Sequence, residues 1–235
     1  MFESELINYL KNAGADIVGF GDLTMLDSNI RCNLPYGICV AVKIASEVVK
    51  ELENGPTEQY YEEYKRLNKL LDKIVSLGEK FIKARGYNAI GQSTTYVTED
   101  DNLTTPLPHK TVATRAGIGW IGKNALLITS DYGSAIRIST ILTDIPVKTG
   151  QPIDESKCGN CLNCTNACPA EAIKGNLWNV NAERKDLIEP LKCRAKARAM
   201  MKKIVGIETA VCGKCIAVCP FTKAYIKRMK GQTAS

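Results

Sequence analysis

Apolar positions along the first 145 residues alternate between a helical and an extended rhythm. Residues 2–12 place Leu6, Ile7 and Leu10 on one side, which predicts a short helix, and the run Ala15 to Phe20 after Gly14 predicts a strand. Ile38 to Ile44 predicts a second strand. From Thr57 to Lys83 the residues Leu67, Leu70, Leu71, Ile74, Phe81 and Ile82 keep helical spacing, with Gly86 as the stop, so the longest helix is expected there. Asn88 to Gly91 reads as a short strand, and Thr104 to Pro108 as a turn-rich approach to a helix that stops at Gly117. Ala125 to Thr129 and Ala135 to Thr143 read as paired strands, because Ser130-Asp131-Tyr132-Gly133 between them has hairpin turn chemistry. Pro146 to Pro152 reads as a linker. Helices and strands without strict alternation predict an α+β layer over residues 1–150, followed by a small helical, cysteine-bearing domain over 151–235.

A chain of 235 residues with 45% hydrophobic and 24% charged residues has the usual globular mixture, and no stretch approaches the length of apolar sequence that a membrane span needs. The first residues, MFESELINYLKNAG, are acidic where a signal peptide is basic. A soluble, cytoplasmic protein without a membrane partner is expected. Cytosolic thiols are kept reduced, so metal rather than disulfide is the default explanation for ten cysteines.

The run Cys158-x2-Cys161-x2-Cys164-x3-Cys168-Pro169 has the spacing of bacterial ferredoxin ligands, in which three cysteines bind one cubane and the fourth reaches a second. Soft thiolates suit iron, and the tight spacing lets three converge on one cubane. Cys212-x2-Cys215-x3-Cys219-Pro220 partly repeats the pattern, and Cys193 lies between the two runs. These eight thiols are the complement of two 4Fe-4S clusters. Ferredoxin-like connectivity implies crossed wiring, with Cys158, Cys161, Cys164 and Cys219 on one cluster and Cys168, Cys193, Cys212 and Cys215 on the other. A pair of zinc sites is the competing reading of C-x2-C pairs, disfavoured by the Cys-Pro endings and by the continuation Ala170-Glu171-Ala172-Ile173. Cys32 and Cys39 have no surrounding motif and read as small packing residues, with a redox pair as the alternative.

Charge follows the cysteines. Residues 1–150 carry 16 Lys and Arg against 18 Asp and Glu, a balance of −2, whereas residues 151–235 carry 15 against 7, a balance of +8. A thiolate-ligated 4Fe-4S cubane is roughly −2, so the basic segment offsets the charge of two clusters. Lys192, Arg194, Lys196, Arg198, Lys202 and Lys203 could also meet phosphates, but they lack interleaved aromatic residues for base stacking.

The stretch from Arg115 to Ile128 holds Gly117, Gly119 and Gly122, with Trp120 between them and Lys123 after them. Glycines permit close backbone approach, either by a planar or anionic cofactor or by the chain itself in a tight connection. The order AGIGWIGKNALLI, Gly133-Ser134, Ile141-Leu-Thr-Asp144, the CGxCxxCxxACP box, a single cysteine and CxxCxxxCP resembles epoxyqueuosine reductase and its relatives, the reductive dehalogenases, over about Thr105 to Phe221. The resemblance implies a nitroreductase-like cofactor-binding domain followed by a ferredoxin-like double 4Fe-4S domain. It also implies a cobalamin fed with electrons by two clusters, with Gly117, Gly119, Trp120, Gly122, Lys123, Gly133 and Ser134 bordering the corrin. FMN is the alternative occupant.

Two departures limit what carries over from that family. Leu103 stands where the family places a catalytic aspartate, leaving Asp101 as the nearest substitute, and sixteen residues follow Cys219, so a short form without the helical-repeat domain is expected. His109, the sole histidine, reads as an exposed turn residue, and Tyr60, Tyr61 and Tyr64 as half-buried helix residues. The expected function is an iron–sulfur reductase that takes electrons from a low-potential donor and acts on a small molecule or modified nucleoside. The alternative is an electron-transfer protein in which Lys223, Lys227, Arg228 and Lys230 dock an acidic protein partner.

Overall fold

A computed structural model describes residues 2–93, 101 and 103–233. In chain order the elements are α1 (Phe2–Asn12), β1 (Ile17–Asp22), β2 (Tyr36–Lys43), α2 (Ser46–Glu51), α3 (Glu58–Lys83), β3 (Ala89–Gln92), α4 (His109–Arg115), β4 (Trp120–Ile121), β5 (Leu127–Ile128), β6 (Ile136–Thr143), α5 (Asn163–Asn166), α6 (Arg184–Leu187), α7 (Pro190–Ile204), α8 (Lys214–Ala217) and α9 (Pro220–Thr233). None of the described helices is long and apolar enough to cross a membrane.

The chain divides into two compact units. Unit 1 comprises residues 1–43, 66–119 and 137–153, and unit 2 comprises 44–65, 120–136 and 154–235. They interleave along the sequence, where consecutive domains meeting near residue 150 were expected. Hydrophobic period reveals which side of a segment is covered, not which unit covers it, so residues 44–65 and 120–136 gave no sign of belonging with the cysteines.

Unit 1 is built on a four-stranded sheet in the order β1-β2-β6-β3. β1 runs antiparallel to β2 with Phe20 opposite Ile38, and β3 antiparallel to β6 with Ala89 opposite Thr143. Residues Ile38 to Val42 of β2 are all buried, which explains a strand that reads as a continuous apolar run rather than an alternation. α1 buries Leu6 and Leu10, four apart, and carries Glu3 and Glu5 in its first turn and Lys11 in its last, each favourable to the helix dipole. α3 buries Leu67, Leu71, Ile74 and Ile82 along the predicted stripe. α4 ends where Gly117 adopts φ +69.

Residues 146–152 are not a free linker. The N–H of Gly150 donates to Phe20 O at 2.8 Å, that of Ile153 to Thr114 O at 3.0 Å, and Arg115 Nη2 donates to Ile153 O at 3.0 Å. A Cβ on Gly150 would stand 2.2 Å from Ala116 O, so glycine is required for this strap to lie against the end of α4.

Unit 2 holds a two-stranded antiparallel sheet, β4 with β5, in which Trp120 faces Ile128 and Ile121 faces Leu127. The predicted hairpin of Ala125–Thr129 with Ala135–Thr143 is therefore not formed. Thr129 and Gly133 close the turn as one isolated bridge, after which Ser134 N donates to Thr222 Oγ1 and Ala135 O accepts from Ile44 N. Those tertiary bonds divert the chain before a ladder can extend. The rest of unit 2 is helical: α2 packs on α8 and α9, and α5 packs on α8.

Candidate metal centre

The cysteines sit at turns and short helices that the sequence builds twice. Cys158 starts a tight turn through Gly159 at φ +54, closed by Cys161 N donating to Cys158 O at 3.2 Å, and α5 carries Cys164 one turn on. Cys168 follows α5, and its Sγ accepts the N–H of Ala172 at 3.4 Å. In the second run Gly213, at φ +83, lets the chain turn between Cys212 and α8, which carries Cys215, and Cys219 precedes Pro220, the first residue of α9. Proline there suits a helix start, since its missing N–H would be unpaired in any case. Cys193 lies in the first turn of α7.

These turns gather the thiols into two sets. Cys158, Cys161, Cys164 and Cys219 line one cavity together with Lys123, Asn124, Ile128, Pro220 and Phe221. Cys193 has Cys168, Cys212 and Arg184 as its ionisable neighbours, and Cys215 has Cys212, Cys193, Cys164 and Cys168. Among the described residues no three Cys, His, Asp or Glu side chains converge as a single ion requires. Four thiols around one shared cavity are the complement of one cubane.

Burial dominates the acid–base behaviour of the thiols. It pushes Cys164 up to about 11, with the Cys158, Cys219 and Cys161 thiols adding to the rise and the Thr165 hydroxyl opposing it. Burial likewise raises Cys193, Cys212, Cys215 and Cys219, the last opposed by backbone N–H donation from Thr222 and Phe221. Empty, these groups are neutral; they ionise when a metal takes the sulfur.

The glycine-rich stretch divides between the units. Gly117 and Gly119 close a segment of unit 1, whereas Trp120, Gly122, Lys123, Gly133 and Ser134 belong to unit 2. A Cβ on Gly117 would lie 2.5 Å from Gln151 O, one on Gly122 2.3 Å from Ile128 Cδ1, and one on Gly133 2.3 Å from Thr222 N. Packing by the protein's own chain thus accounts for glycine at all three. Trp120 meets Phe221 edge-on at 4.9 Å, Lys157 Nζ lies 5.6 Å from the Trp120 ring centroid, and Asn124 Nδ2 donates to Cys215 O at 3.4 Å. Trp120 Nε1 and Ser134 Oγ are buried without a hydrogen-bond partner. Asn124, Phe221 and Thr222 escaped the sequence reading; the only signal was that Phe221 and Thr222 follow Cys219-Pro220 directly.

The other singled-out residues fall in both units: Asp101, His109, Cys32 and Cys39 belong to unit 1, and Tyr60, Tyr61 and Tyr64 to unit 2, where a Cβ on Gly213 would lie 3.1 Å from the Tyr60 ring. Asp101 is exposed. His109 is not the exposed residue expected: it opens α4 half-buried, with Nδ1 3.0 Å from Thr140 Oγ1, and burial followed by the Arg137 charge lowers its pKa to about 4. Tyr60 is buried and Tyr61 and Tyr64 are half-buried. Cys39 is a packing residue of β2, raised to about 12 by burial, whereas Cys32 is exposed; both thiols are free.

Residues 157–222 match the family described as the 4Fe-4S double cluster binding domain. The segment that holds the eight cysteines is of that kind. An epoxyqueuosine reductase of Lactococcus garvieae is 34% identical over 116 residues, which are 48% of this chain and 31% of that protein. The chain thus matches under half the length of that curated relative. Among solved structures, an epoxyqueuosine reductase in complex with an epoxyqueuosine-modified tRNA-Tyr stem loop superposes with TM-score 0.65 at 20% identity, covering 95% of this chain and 66% of that one. A reductive dehalogenase whose structure bears on B12-dependent dehalogenation superposes with TM-score 0.67 at 17% identity, covering 95% and 33%. The chain shares the fold of both.

Proposed function

We propose that this chain is an iron–sulfur reductase resembling epoxyqueuosine reductase, with one 4Fe-4S cluster on Cys158, Cys161, Cys164 and Cys219 and a second on Cys168, Cys193, Cys212 and Cys215. The observation that carries it is the exchange between runs: Cys219 joins the first three cysteines around one cavity, and Cys168 joins Cys193 and Cys212. Bound clusters supply one-electron transfer from a low-potential donor. The chain's own residues hold eight thiols in place and supply basic charge beside them, Lys123 at the first set and Arg184 and Lys214 at the second.

The finer reading adds a cobalamin that the clusters reduce, and a modified nucleoside or other small molecule as substrate. Its support is the likeness to the dehalogenase and to the tRNA-bound reductase. The packed glycines offer a corrin no cradle, while Trp120 Nε1 and Ser134 Oγ are buried polar atoms that a polar ligand would satisfy. FMN has no support among these relatives. Anaerobic purification, iron and sulfide analysis, and titration with cobalamin followed by absorption test both levels. Zinc in place of iron defeats the whole reading; iron without corrin binding defeats only the finer one.

A second reading, electron delivery to another protein, is favoured by the exposed basic side of α7. Lys192, Lys196, Arg198 and Lys203 are exposed there and make no ion pair among the described residues, whereas Lys223 of α9 pairs with Glu53 at 3.1 Å. Such docking weakens steeply with added salt; salt-independent association with an acidic acceptor protein removes it.

A further inference from the structure

Lys123 combines two properties that are seldom found together. It is 5% exposed, and no hydrogen bond or ion pair holds it among the described residues. Removing an ammonium group from water without a counter-charge is strongly unfavourable, so buried lysines ordinarily lie against a carboxylate or another anion. Around the cavity that Lys123 lines, the ionisable neighbours are not carboxylates but the thiols of Cys158, Cys161, Cys164 and Cys219. The other lining residues, Asn124, Ile128, Pro220 and Phe221, carry no charge.

The lysine is also held in position. It sits in the turn between β4 and β5, where Ala125 takes φ +58, Gly122 packs against Ile128, and Asn124 is anchored on Cys215 O. The turn thus fixes where the Lys123 backbone meets the cavity lined by the four thiols, and a charge there is screened less than that of a surface lysine.

We infer that Lys123 is the counter-charge of the cluster held by Cys158, Cys161, Cys164 and Cys219, and that it sets that cluster's reduction potential above what the thiolates alone would give. This rests on the cluster assignment proposed above. A cubane with four thiolates goes from a net charge of roughly −2 to −3 as it accepts one electron from an external reductant. A neighbouring positive charge stabilises the more negative form more, and so favours reduction. Among the described residues, the basic groups acting on the second set are Arg184, whose Nε is buried, at Cys193 and Lys214 at Cys212, so each set of thiols has its own neighbouring cation. Lys123 is thus a positioning charge rather than a ligand.

The test uses the full chain, purified anaerobically, as wild type, Lys123→Met, Lys123→Gln and Lys123→Arg. Iron and sulfide content is measured first, then both clusters are titrated with dithionite and mediators while the reduced-cluster signals are followed by electron paramagnetic resonance. Methionine keeps the apolar stem, so packing survives while charge is lost. The expected result is that Lys123→Met and Lys123→Gln lower the reduction equilibrium constant of one cluster at least tenfold, about 59 mV for one electron, and leave the other within twofold, while Lys123→Arg stays near wild type. Loss of that one cluster in Met and Gln but not in Arg also supports the inference. Unchanged potentials in all variants, or equal loss in all three including Arg, overturn it. If the wild type itself holds no iron, it is the proposed function that fails.

Discussion

The backbone N–H of Ser134 donates to Oγ1 of Thr222 at 3.1 Å, tying the turn after β5 to the first residues of α9. Thr222 in turn donates its own backbone N–H toward the Cys219 thiol, as does Phe221. The glycine-rich stretch and the last cysteine of the second run are thereby one assembly. Gly133 makes it possible, since its φ of +59 and its missing side chain let the backbone of Thr222 approach.

Gly133→Ala should therefore act on the metal as well as on the fold. The new methyl group would meet Thr222 N at 2.3 Å and Phe221 C at 2.7 Å, both backbone atoms that cannot swing aside. An overpacking cost of about 1–3 kcal/mol is expected, together with displacement of Cys219 and preferential loss of one cluster. Gly86→Ala is the control: φ is +86 but nothing lies within 4 Å, so only the left-handed backbone cost of about 1–2 kcal/mol applies. Thermal midpoints and iron per chain measured on both variants check this, and equal iron loss would count against the Thr222 contact.

Exchange between the cysteine runs gives a second expectation. Cys219→Ser should weaken the cluster of Cys158, Cys161 and Cys164, which are far from it in sequence, and spare that of its neighbours Cys212 and Cys215. Cys168→Ser should do the opposite. Paramagnetic resonance of the reduced variants distinguishes the two losses, and a Cys219→Ser spectrum identical to that of Cys215→Ser would show that each run serves its own cluster.

Much of this centre could be read from spacing because its ligands are short-range: C-x2-C turns are made by adjacent residues and carry their geometry locally. Elements with a long local period, α1 and α3, were legible for the same reason. What escaped was tertiary. Ser130 to Gly133 has hairpin residues and does close a turn, yet bonds to Ile44 and Thr222 decide where the chain goes next. Lys123 read as one residue bordering a cofactor, but nothing in its neighbours Gly122 and Asn124 showed that the cavity it lines would also be lined by Cys158 and Cys219.

The raised thiols make cluster loading sensitive to pH. Burial holds Cys164 near 11 against an ordinary value of 9, and raises Cys193, Cys212, Cys215 and Cys219 likewise, so thiolates must form as iron binds. Reconstitution should release protons and go further at pH 8.5 than at pH 6.5, by roughly tenfold or more in apparent affinity. The metal-free chain should behave in the opposite sense. Its unfolded form ionises first as pH rises past about 9, so its stability, full below that value, should decline toward pH 11. Iron uptake in weakly buffered solution reads the proton release directly, and pH-independent uptake without protons would contradict it.

His109 should make the protein acid-sensitive at the other end of the scale. Burial first, and then Arg137, lower its pKa from 6.5 to about 4, with Asp72 acting weakly in the opposite direction; Arg137 is itself held by Asn68 Oδ1 at 2.9 and 3.1 Å. Between those two values the unfolded chain binds a proton that the native chain refuses, so stability is full above about 6.5, falls with pH, and levels off below about 4. The span corresponds to roughly 3 kcal/mol. Glutamine can keep the bond to Thr140 without the charge, so His109→Gln should flatten the unfolding midpoint over this range. Because the chain has one histidine, its ring resonances can be titrated without assignment. A midpoint near 6.5 in the folded protein would show the ring open to water, and the acid sensitivity would then need another source.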